Sequence, residues 1–493
     1  MKKTTSHHFG AIYDKIPRTI DFESNGRNRR MTYDLIVVGS GPAGYTGAIR
    51  ARQLGLRTAI IEMDKPGGVC LNVGCIPTKA LIHKAKEFRA VEGLKAHGLQ
   101  VDASRFDFSG VTQYAKIVST KLSKSVAFLL KKAGVDTING RAKFISPTTL
   151  EVSRGEEREV LTGRHFLIAT GSRPKNLPGL VIDEERILSS TGALFLKQLP
   201  KRIAIIGAGA IGVEFAYIYR SFGSEVDLIE VLPRILPLED SEAVDTLTKR
   251  YIKLGIQVLP STRVLEAQPI EEGVRLTIQK QDGAQETLTV DKVLLAVGRT
   301  LNTDQLGLEN IPLTTERGFL RVNSRYQTAV PHIYAAGDVI PTPLLAHVAS
   351  EEAINAVESI VDPQKEPIDF SGLIPSCIYS EPELASFGDQ EAQLVSQNRP
   401  FKKTVFPYRG IGKSVATDQP EGFIKLLSDP ETERVLGATI VGAQATELIH
   451  EYMLLKRTGQ PIRMLAHMIH AHPTLSEGMM EAAKLALGEA INL

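Results

Sequence analysis

The chain has 493 residues, 43% hydrophobic and with 41 glycines, enough to bury several cores in roughly three or four domains. Its 58 basic and 56 acidic residues leave a net charge of +2, so no global field argues for nucleic acid or a membrane surface, and small molecules are the expected partners. Three cysteines are too few for a secreted disulfide scaffold and favour a cytoplasmic setting, where a disulfide is more often catalytic than structural. No apolar run reaches the roughly 18 residues needed to span a membrane. Residues 1–31 carry seven Lys/Arg and three Asp/Glu without the apolar core of a secretory signal, and read as a disordered extension. Asp14, Asp21 and Glu23 argue against a mitochondrial transit peptide, since such peptides are poor in acids.

Residues 33–38 are a β-rich run that breaks into Gly39-Ser40-Gly41-Pro42-Ala43-Gly44, then a helix-like stretch to Leu54, a second apolar run at 58–61, and Glu62. Strand, glycine turn, helix, strand and acid in this order form a dinucleotide fingerprint. Gly39 makes the turn, Gly41 lets the backbone approach a pyrophosphate, and Gly44 lets the helix pack on the strand. The helix N-terminus then faces the phosphates, and Glu62 accepts from ribose hydroxyls.

Shortly after Glu62, residues 67–79 hold Cys70 and Cys75. On an ideal helix their α-carbons would stand about 8.7 Å apart, beyond the roughly 7 Å limit for a disulfide. A bridge therefore needs a distorted helix, for which Gly74 has the freedom, while Pro77 suits a helix start. A redox couple, a static crosslink and two buried thiols all fit this spacing. The pair lies in the same βαβ unit as the first nucleotide site, so a dinucleotide bound there can react with it. A flavin suits that task because it relays an electron pair between a dithiol and a second partner, and FAD is assigned to this site.

Stretches 80–94 and 111–133 have helical apolar spacing and read as packing helices. A β-rich region at 136–159 leads to a strand ending in Thr170-Gly171, either a crossing where backbone meets cofactor or an ordinary turn. The fingerprint then recurs: 202–206, Gly207-Ala208-Gly209-Ala210-Ile211-Gly212, a helix to about residue 222, a strand at 225–229, and Glu230. Two fingerprints imply two dinucleotides. Glu230 would repel a 2′-phosphate and favours NAD, although Arg234 nearby keeps NADP as an alternative. A buried-strand run at 291–299 ends in Gly298-Arg299, and residues 333–338 place Asp338 where a ribityl chain could be held.

From residue 374 the texture becomes α+β, with strands at 376–379, 402–406, 423–427 and 436–441 and helices at 445–458 and 473–487. Before the last helix stands His470-Ala471-His472-Pro473-Thr474-Leu475-Ser476-Glu477. Pro473 suits a first helical position, which would hold His472 at the helix entrance as a general base, with Glu477 orienting its ring. His467, His470 and His472 also cluster, but the spacing matches no zinc pattern, and no metal is assigned.

Through the two glycine turns, residues 68–79, residues 230–237, Ala336-Gly337-Asp338 and residues 470–477, the chain resembles the flavoprotein disulfide reductases over about residues 33–487. Within them it is most similar to the dihydrolipoamide-oxidising branch. The resemblance implies an α/β fold of two Rossmann-like dinucleotide-binding domains plus a C-terminal α+β dimerisation domain. Their bounds are an FAD domain at 32–180, an NAD domain at 181–300, a segment at 301–373 completing the FAD domain, and an interface domain at 374–493. It implies a homodimer with shared active sites. Cys70 and Cys75 would be a redox-active disulfide, Cys75 lying against the flavin and Cys70 exchanging with the dithiol substrate. Lys79 would reach the flavin edge and pair with Glu214, and Asp338 would hold the ribityl chain. His472 and Glu477 of the partner subunit would supply the base. The FAD set is Gly39, Gly41, Pro42, Ala43, Gly44, Glu62, Lys79, Ala142, Thr170, Gly171, Ser172, Asp338 and Ala346; the NAD set is Gly207, Gly209, Ile211, Gly212, Glu214, Glu230, Gly298 and Arg299. The implied reaction is NAD-dependent oxidation of dihydrolipoamide on carrier domains of a 2-oxo acid dehydrogenase complex or a glycine cleavage system. Val69, Ala353 and Cys377 depart from the usual family pattern and are expected to be tolerated. Glutathione- and mercuric-reductase-like readings lose ground because Thr78 and Glu230 stand where those relatives differ and the C-terminus has no cysteine pair. A non-catalytic dinucleotide sensor is disfavoured by the intact cysteine and His-Glu pairs.

Overall fold

Residues 32–102 and 105–492 are described in the computed structural model, so the extension at 1–31 lies outside the described residues. Strand β1 (Thr32–Val38) passes through the first glycine turn into helix α1 (Pro42–Gln53) and strand β2 (Thr58–Glu62). The short helix α2 (Gly68–Val73) and the long helices α3 (Cys75–Lys95) and α4 (Phe108–Ala133) follow, then β3 (Asp136–Asn139), β4 (Arg141–Ser146), β5 (Thr149–Arg154) and β6 (Glu157–Ile168). The sheet runs β3-β2-β1-β6-β5-β4. Leu35, Ile36 and Val37 in β1 are fully buried, the two-sided burial that a parallel strand between βα crossovers requires.

The second nucleotide unit comprises β8 (Ile187–Leu188), α5 (Ser190–Leu194), β9 (Arg202–Ile206), α6 (Ala210–Phe222), β10 (Glu225–Ile229), α7 (Ser241–Lys253), β11 (Ile256–Leu259) and β15 (Lys292–Leu295), with sheet order β11-β10-β9-β15-β8. An antiparallel meander of β12 (Arg263–Ile270), β13 (Gly273–Gln279) and β14 (Gln285–Val290) covers it. Strands β7 (Ser172–Pro174) and β16 (Arg299–Leu301) pair antiparallel where the chain leaves and re-enters the first unit. Past the ribbon of β17 (Thr315–Glu316) and β18 (Phe319–Leu320), strand β19 (Ile333–Ala335) pairs parallel with β6 and returns the chain to the first sheet. Helix α8 (Ala346–Val361) packs on α1. Ala353 is fully buried at that crossing, opposite Gly47, where an added Cβ would stand 3.3 Å from the Ala353 Cβ.

The C-terminal sheet is antiparallel, ordered β20-β21-β24-β23-β22 from β20 (Ser376–Ile378), β21 (Glu383–Gly388), β22 (Lys402–Pro407), β23 (Phe423–Ser428) and β24 (Val435–Gly442). Helices α9 (Glu391–Ser396), α10 (Gly412–Ala416), α11 (Ala445–Leu448), α12 (His450–Thr458), α13 (Arg463–Ala466) and α14 (Glu477–Leu487) complete the domain. Two sequence expectations are corrected here. The helix expected at 445–458 is interrupted at Ile449, and the last helix begins at Glu477 rather than Pro473. The His472–Pro473 peptide is cis, and Thr474 gives its N–H to the Glu477 carboxylate and its hydroxyl to Ala471 O, which makes residues 471–476 a turn. Among the described residues, no helix is long and apolar enough to cross a membrane.

A buried ion cluster ties the second nucleotide unit to this sheet. Lys425 on β23, 1% exposed in its side chain, lies 2.7 Å from Asp240, 2.5 Å from Glu242 and 3.2 Å from Glu391. Asp240 also caps α7 by accepting the Ala243 N–H. Burial opposes the Lys425 charge, but the carboxylates outweigh it and hold its pKa above the usual lysine value. Replacing Lys425 by methionine leaves Asp240 buried without its cation and is expected to cost about 3 kcal/mol. A thermal midpoint equal to the parent's would contradict this.

Candidate active site

Both glycine turns have the geometry of a phosphate cradle. Gly39 has φ +97°, and a Cβ there would meet Ala169 O at 2.4 Å; a Cβ at Gly44 would meet Gly39 O at 1.9 Å. Gly207 (φ +96°) and Gly212 repeat this against Ala296 O and Gly207 O, at 2.5 and 1.9 Å. Helices α1 and α6 have Gly41 and Gly209 at their N-caps, with no side-chain cap and no acid in the first turn, which leaves their leading N–H groups to an anion. Pro42 and Ala43 open α1, and Ile211 lies in the first turn of α6.

The two acids close back on their own turns in the same way. Glu62 accepts the Ser40 N–H at 2.9 Å and the Ser40 hydroxyl at 2.6 Å, and Glu230 accepts the Ala208 N–H at 2.8 Å and the Leu232 N–H at 2.9 Å. Each carboxylate is thereby fixed beside its turn with acceptor capacity left for a ribose. These donor sets fit two dinucleotides.

The helix break that the cysteine spacing requires is present. Helix α2 ends at Val73 and α3 begins at Cys75, with Gly74 between them at φ −145°, ψ −114°. Cys70 and Cys75 are unbridged and interact through a side-chain hydrogen bond. That hydrogen bond, aided by the Lys79 charge and opposed by burial, pulls Cys75 down to about 7. The same bond, together with burial, pushes the Cys70 thiol up. Of the two, Cys75 is the thiol whose ionisation these interactions favour, and Cys70 the one whose ionisation they oppose. Gly67 donates its N–H to Ser40 O at 2.9 Å, and a Cβ on Gly68 (φ +59°) would stand 2.6 Å from Gly41 Cα, so the cysteine helix abuts the first cradle backbone to backbone. In the reduced protein, alkylation of Cys75 should rise with pH and be half-maximal near 7, because only the thiolate reacts. Peptide mass spectrometry reads this site by site; a midpoint at the ordinary thiol value would contradict it.

Lys79, one turn beyond Cys75, lies 2.9 and 3.1 Å from the two Glu214 carboxylate oxygens. Burial works against its charge, but Glu214 prevails and holds its pKa above the usual lysine value. Tyr379 completes the group: its N–H donates to Glu214 at 3.1 Å and its ring lies 4.4 Å from the Lys79 ammonium. The first unit, the second and the C-terminal domain thus meet at one ion pair. Pattern reading in the sequence gave no signal for Tyr379.

At the end of β6, Thr170 donates its hydroxyl to Asn302 O at 2.7 Å, and Gly171 has φ +68°. Ser172 donates to Asp338, and Arg299 reaches the Ser172 hydroxyl at 2.5 Å, its carbonyl at 2.6 Å and Asp338 at 3.8 Å. Arg299, grouped in the sequence with the second nucleotide, therefore lies against Ser172 and Asp338, two residues grouped there with the first. Burial lowers the Arg299 pKa, with Asp338 opposing. The Gly337 N–H next to Asp338 is held by the buried Glu352 at 2.8 Å, whose carboxyl burial pushes up to about 6. Ala142 is core, packed in the cluster of Val152 and Phe166, Ala346 opens α8, and Gly298 (φ +107°) has open space above it.

His472 lies at the surface, 77% exposed in its side chain, with Nδ1 2.9 Å from the Glu477 carboxylate. Burial would lift the Glu477 pKa, but the Thr474 N–H and His472 hold it below the usual carboxylate value. No hydrogen bond or ion pair among the described residues joins His472 to either cysteine of its own chain. His467 and His470 turn to Glu489 and Glu451, so the three histidines serve three different carboxylates. Of the departures, Val69 is exposed on α2, and Cys377 is half-buried in β20, its thiol pushed up to about 12 by burial and nearby carboxylates.

Residues 33–353 match the family described as pyridine nucleotide-disulphide oxidoreductase, and residues 374–483 match its dimerisation domain. The chain belongs to the pyridine nucleotide-disulphide oxidoreductase family. Dihydrolipoyl dehydrogenases are among its similar relatives: that of Bacillus subtilis (strain 168) is 39% identical over 470 residues, covering 93% of this chain and 99% of its own. That of Thermus scotoductus is 41% identical over 467 residues, covering 94% and 99%. Among solved structures, LpdA of Mycobacterium tuberculosis superimposes with a TM-score of 0.85 at 25% identity, over 92% of this chain and 99% of that one. The flavoprotein disulfide reductase RclA of Escherichia coli gives 0.82 at 27%, over 92% and 100%. As a pyridine nucleotide-disulphide oxidoreductase the chain is an FAD- and NAD(H)-using oxidoreductase, α/β in its nucleotide units with a separate dimerisation domain.

Proposed function

We propose that the chain is a dihydrolipoamide dehydrogenase that oxidises the lipoyl dithiol of carrier domains and reduces NAD. The observation that carries this reading is the broken helix at Gly74, which sets the Cys70 and Cys75 pair against the first nucleotide cradle. The near-full-length similarity to dihydrolipoyl dehydrogenases selects this dithiol over other disulfide substrates.

Exchange begins with the Cys70–Cys75 disulfide. One dihydrolipoamide thiol gives its proton to His472 of the partner subunit and attacks the Cys70 sulfur, forming a mixed disulfide and releasing Cys75 as thiolate. The second lipoyl thiol then attacks the lipoyl sulfur of that mixed disulfide, so lipoamide closes its ring and Cys70 leaves as a thiol. The cysteine pair has gained two electrons and one proton, and the other proton rests on His472 of the partner subunit. Lys79 stabilises the Cys75 thiolate, and Glu214 with Tyr379 keeps the ammonium in place. FAD, when bound, supplies the two-electron relay from this dithiol to NAD. Gly39, Gly41 and Gly44 with Glu62 would hold its pyrophosphate and ribose, Asp338 its ribityl chain, and Gly207, Gly209, Gly212 and Glu230 would hold NAD.

A homodimer is part of this proposal, supported by the dimerisation domain and by apolar side chains exposed beside the His472 turn, notably Ile469 at 97% and Met464 at 56%. Three cysteines, two of them read as a catalytic pair, suit a reducing compartment, and the cytoplasm is the proposed location. The reading is tested by comparing NADH formation from dihydrolipoamide with NADPH-dependent reduction of glutathione disulfide. Equal or greater rates with the glutathione pair would replace it by a glutathione-reductase-like function.

A further inference from the structure

The break at Gly74 has a cost on its α2 side. In an unbroken helix Leu71 O would accept the Cys75 N–H and Asn72 O the Ile76 N–H. Here neither backbone bond is made, and α2 ends with carbonyls left without a backbone donor. Buried carbonyls without donors destabilise the conformation that exposes them. Their donor comes from another element. Ser119 on α4, 4% exposed, places its hydroxyl 2.5 Å from Leu71 O and 3.0 Å from Asn72 O, one proton shared between two acceptors. One turn along α4, Ser123 donates to Pro66 O at 2.7 Å, and the Asn72 amide donates to Pro66 O and Gly68 O at 3.0 Å each. The segment entering the cysteine helix is thus bonded twice over, whereas the break itself depends on Ser119.

We propose that Ser119 is a positioning residue for the cysteine pair: its hydroxyl stabilises the broken helix that disulfide closure requires and so holds the thiol–disulfide equilibrium towards the disulfide. This rests on reading Cys70 and Cys75 as a redox couple. Without the hydroxyl, the dithiol can relax towards a continuous helix and recover the lost backbone hydrogen bonds. The disulfide cannot, because the bridge keeps the two α-carbons within about 7 Å. Loss of Ser119 therefore penalises the oxidised form more than the reduced one.

The experiment equilibrates the flavin-loaded protein with glutathione buffers of graded ratio, in which the disulfide and two glutathione thiols exchange for the dithiol and one glutathione disulfide. Rapid alkylation and mass spectrometry count Cys70 and Cys75 thiols. Ser119→Ala is expected to shift the equilibrium about tenfold towards the dithiol, equivalent to ~30 mV for a two-electron couple. Ser119→Thr, which keeps the donor, should stay close to the parent, and Ser123→Ala should shift it less than Ser119→Ala. An equilibrium for Ser119→Ala within twofold of the parent, or an equal shift in Ser119→Thr, overturns the proposal. Should Ser119→Ala not retain flavin, Ser119→Val, which fills the space without a donor, is read by the same criterion. A parent protein whose pair never equilibrates with glutathione would instead overturn the redox-couple reading itself.

Discussion

Cys75→Ser is expected to lower dihydrolipoamide-dependent NADH formation by roughly a thousandfold or more. The Cys75 pKa is lowered to about 7, and in the proposed exchange Cys75 is the sulfur released when Cys70 is attacked. A serine there can neither close the disulfide nor hold charge beside Lys79. Binding of the flavin should survive, since the cysteine helix meets the first cradle backbone to backbone through Gly67 and Gly68, which the substitution leaves unchanged. The measurement is turnover together with the visible flavin spectrum. Retained turnover in a yellow Cys75→Ser protein would eliminate the disulfide mechanism.

The second large effect falls at the other end of the chain. His472→Gln removes the only proton acceptor assigned to the substrate thiol and is expected to cost about 10²–10⁴-fold in turnover, the usual range for a positioned general base. Glu477→Gln should cost less, because it weakens the ring's orienting bond while the imidazole remains. His472 is exposed and makes no polar contact with the cysteines of its own chain, so the effect should be complementable between subunits. A heterodimer of Cys75→Ser and His472→Gln chains contains one intact shared site and is expected to recover about half of parental turnover, by the two-fold symmetry of such an interface. Recovery of nothing would place the base elsewhere.

Much of this site was legible because its decisive residues are those that backbone geometry forces. Gly39 and Gly44 are demanded by an approach that no Cβ could enter, and Gly207 and Gly212 repeat the demand, so both turns stand out in the sequence. The same applies to Gly74, whose need follows from the length of a disulfide. What escaped was set by contacts distant in sequence. The position of Arg299 against Ser172 and Asp338 depends on β16 pairing with β7, which no local pattern encodes. The start of the last helix was misplaced because Pro473 is a good first helical residue in isolation, whereas the Glu477 carboxylate draws the Thr474 N–H and its own segment into a turn. Ser119 and Tyr379 were silent for the same reason: each acts on a group brought to it only by the tertiary fold.

The central claim is that the electron pair crosses Cys70 and Cys75. The most direct measurement is anaerobic differential alkylation of the oxidised, flavin-loaded protein before and after stoichiometric dihydrolipoamide, without NAD, with peptide mass spectrometry at each of the three cysteines. Cys70 and Cys75 should go together from unlabelled to labelled, while Cys377 stays the same in both samples. Equal labelling of Cys70 and Cys75 before and after, in a protein that then reduces added NAD, would contradict the account.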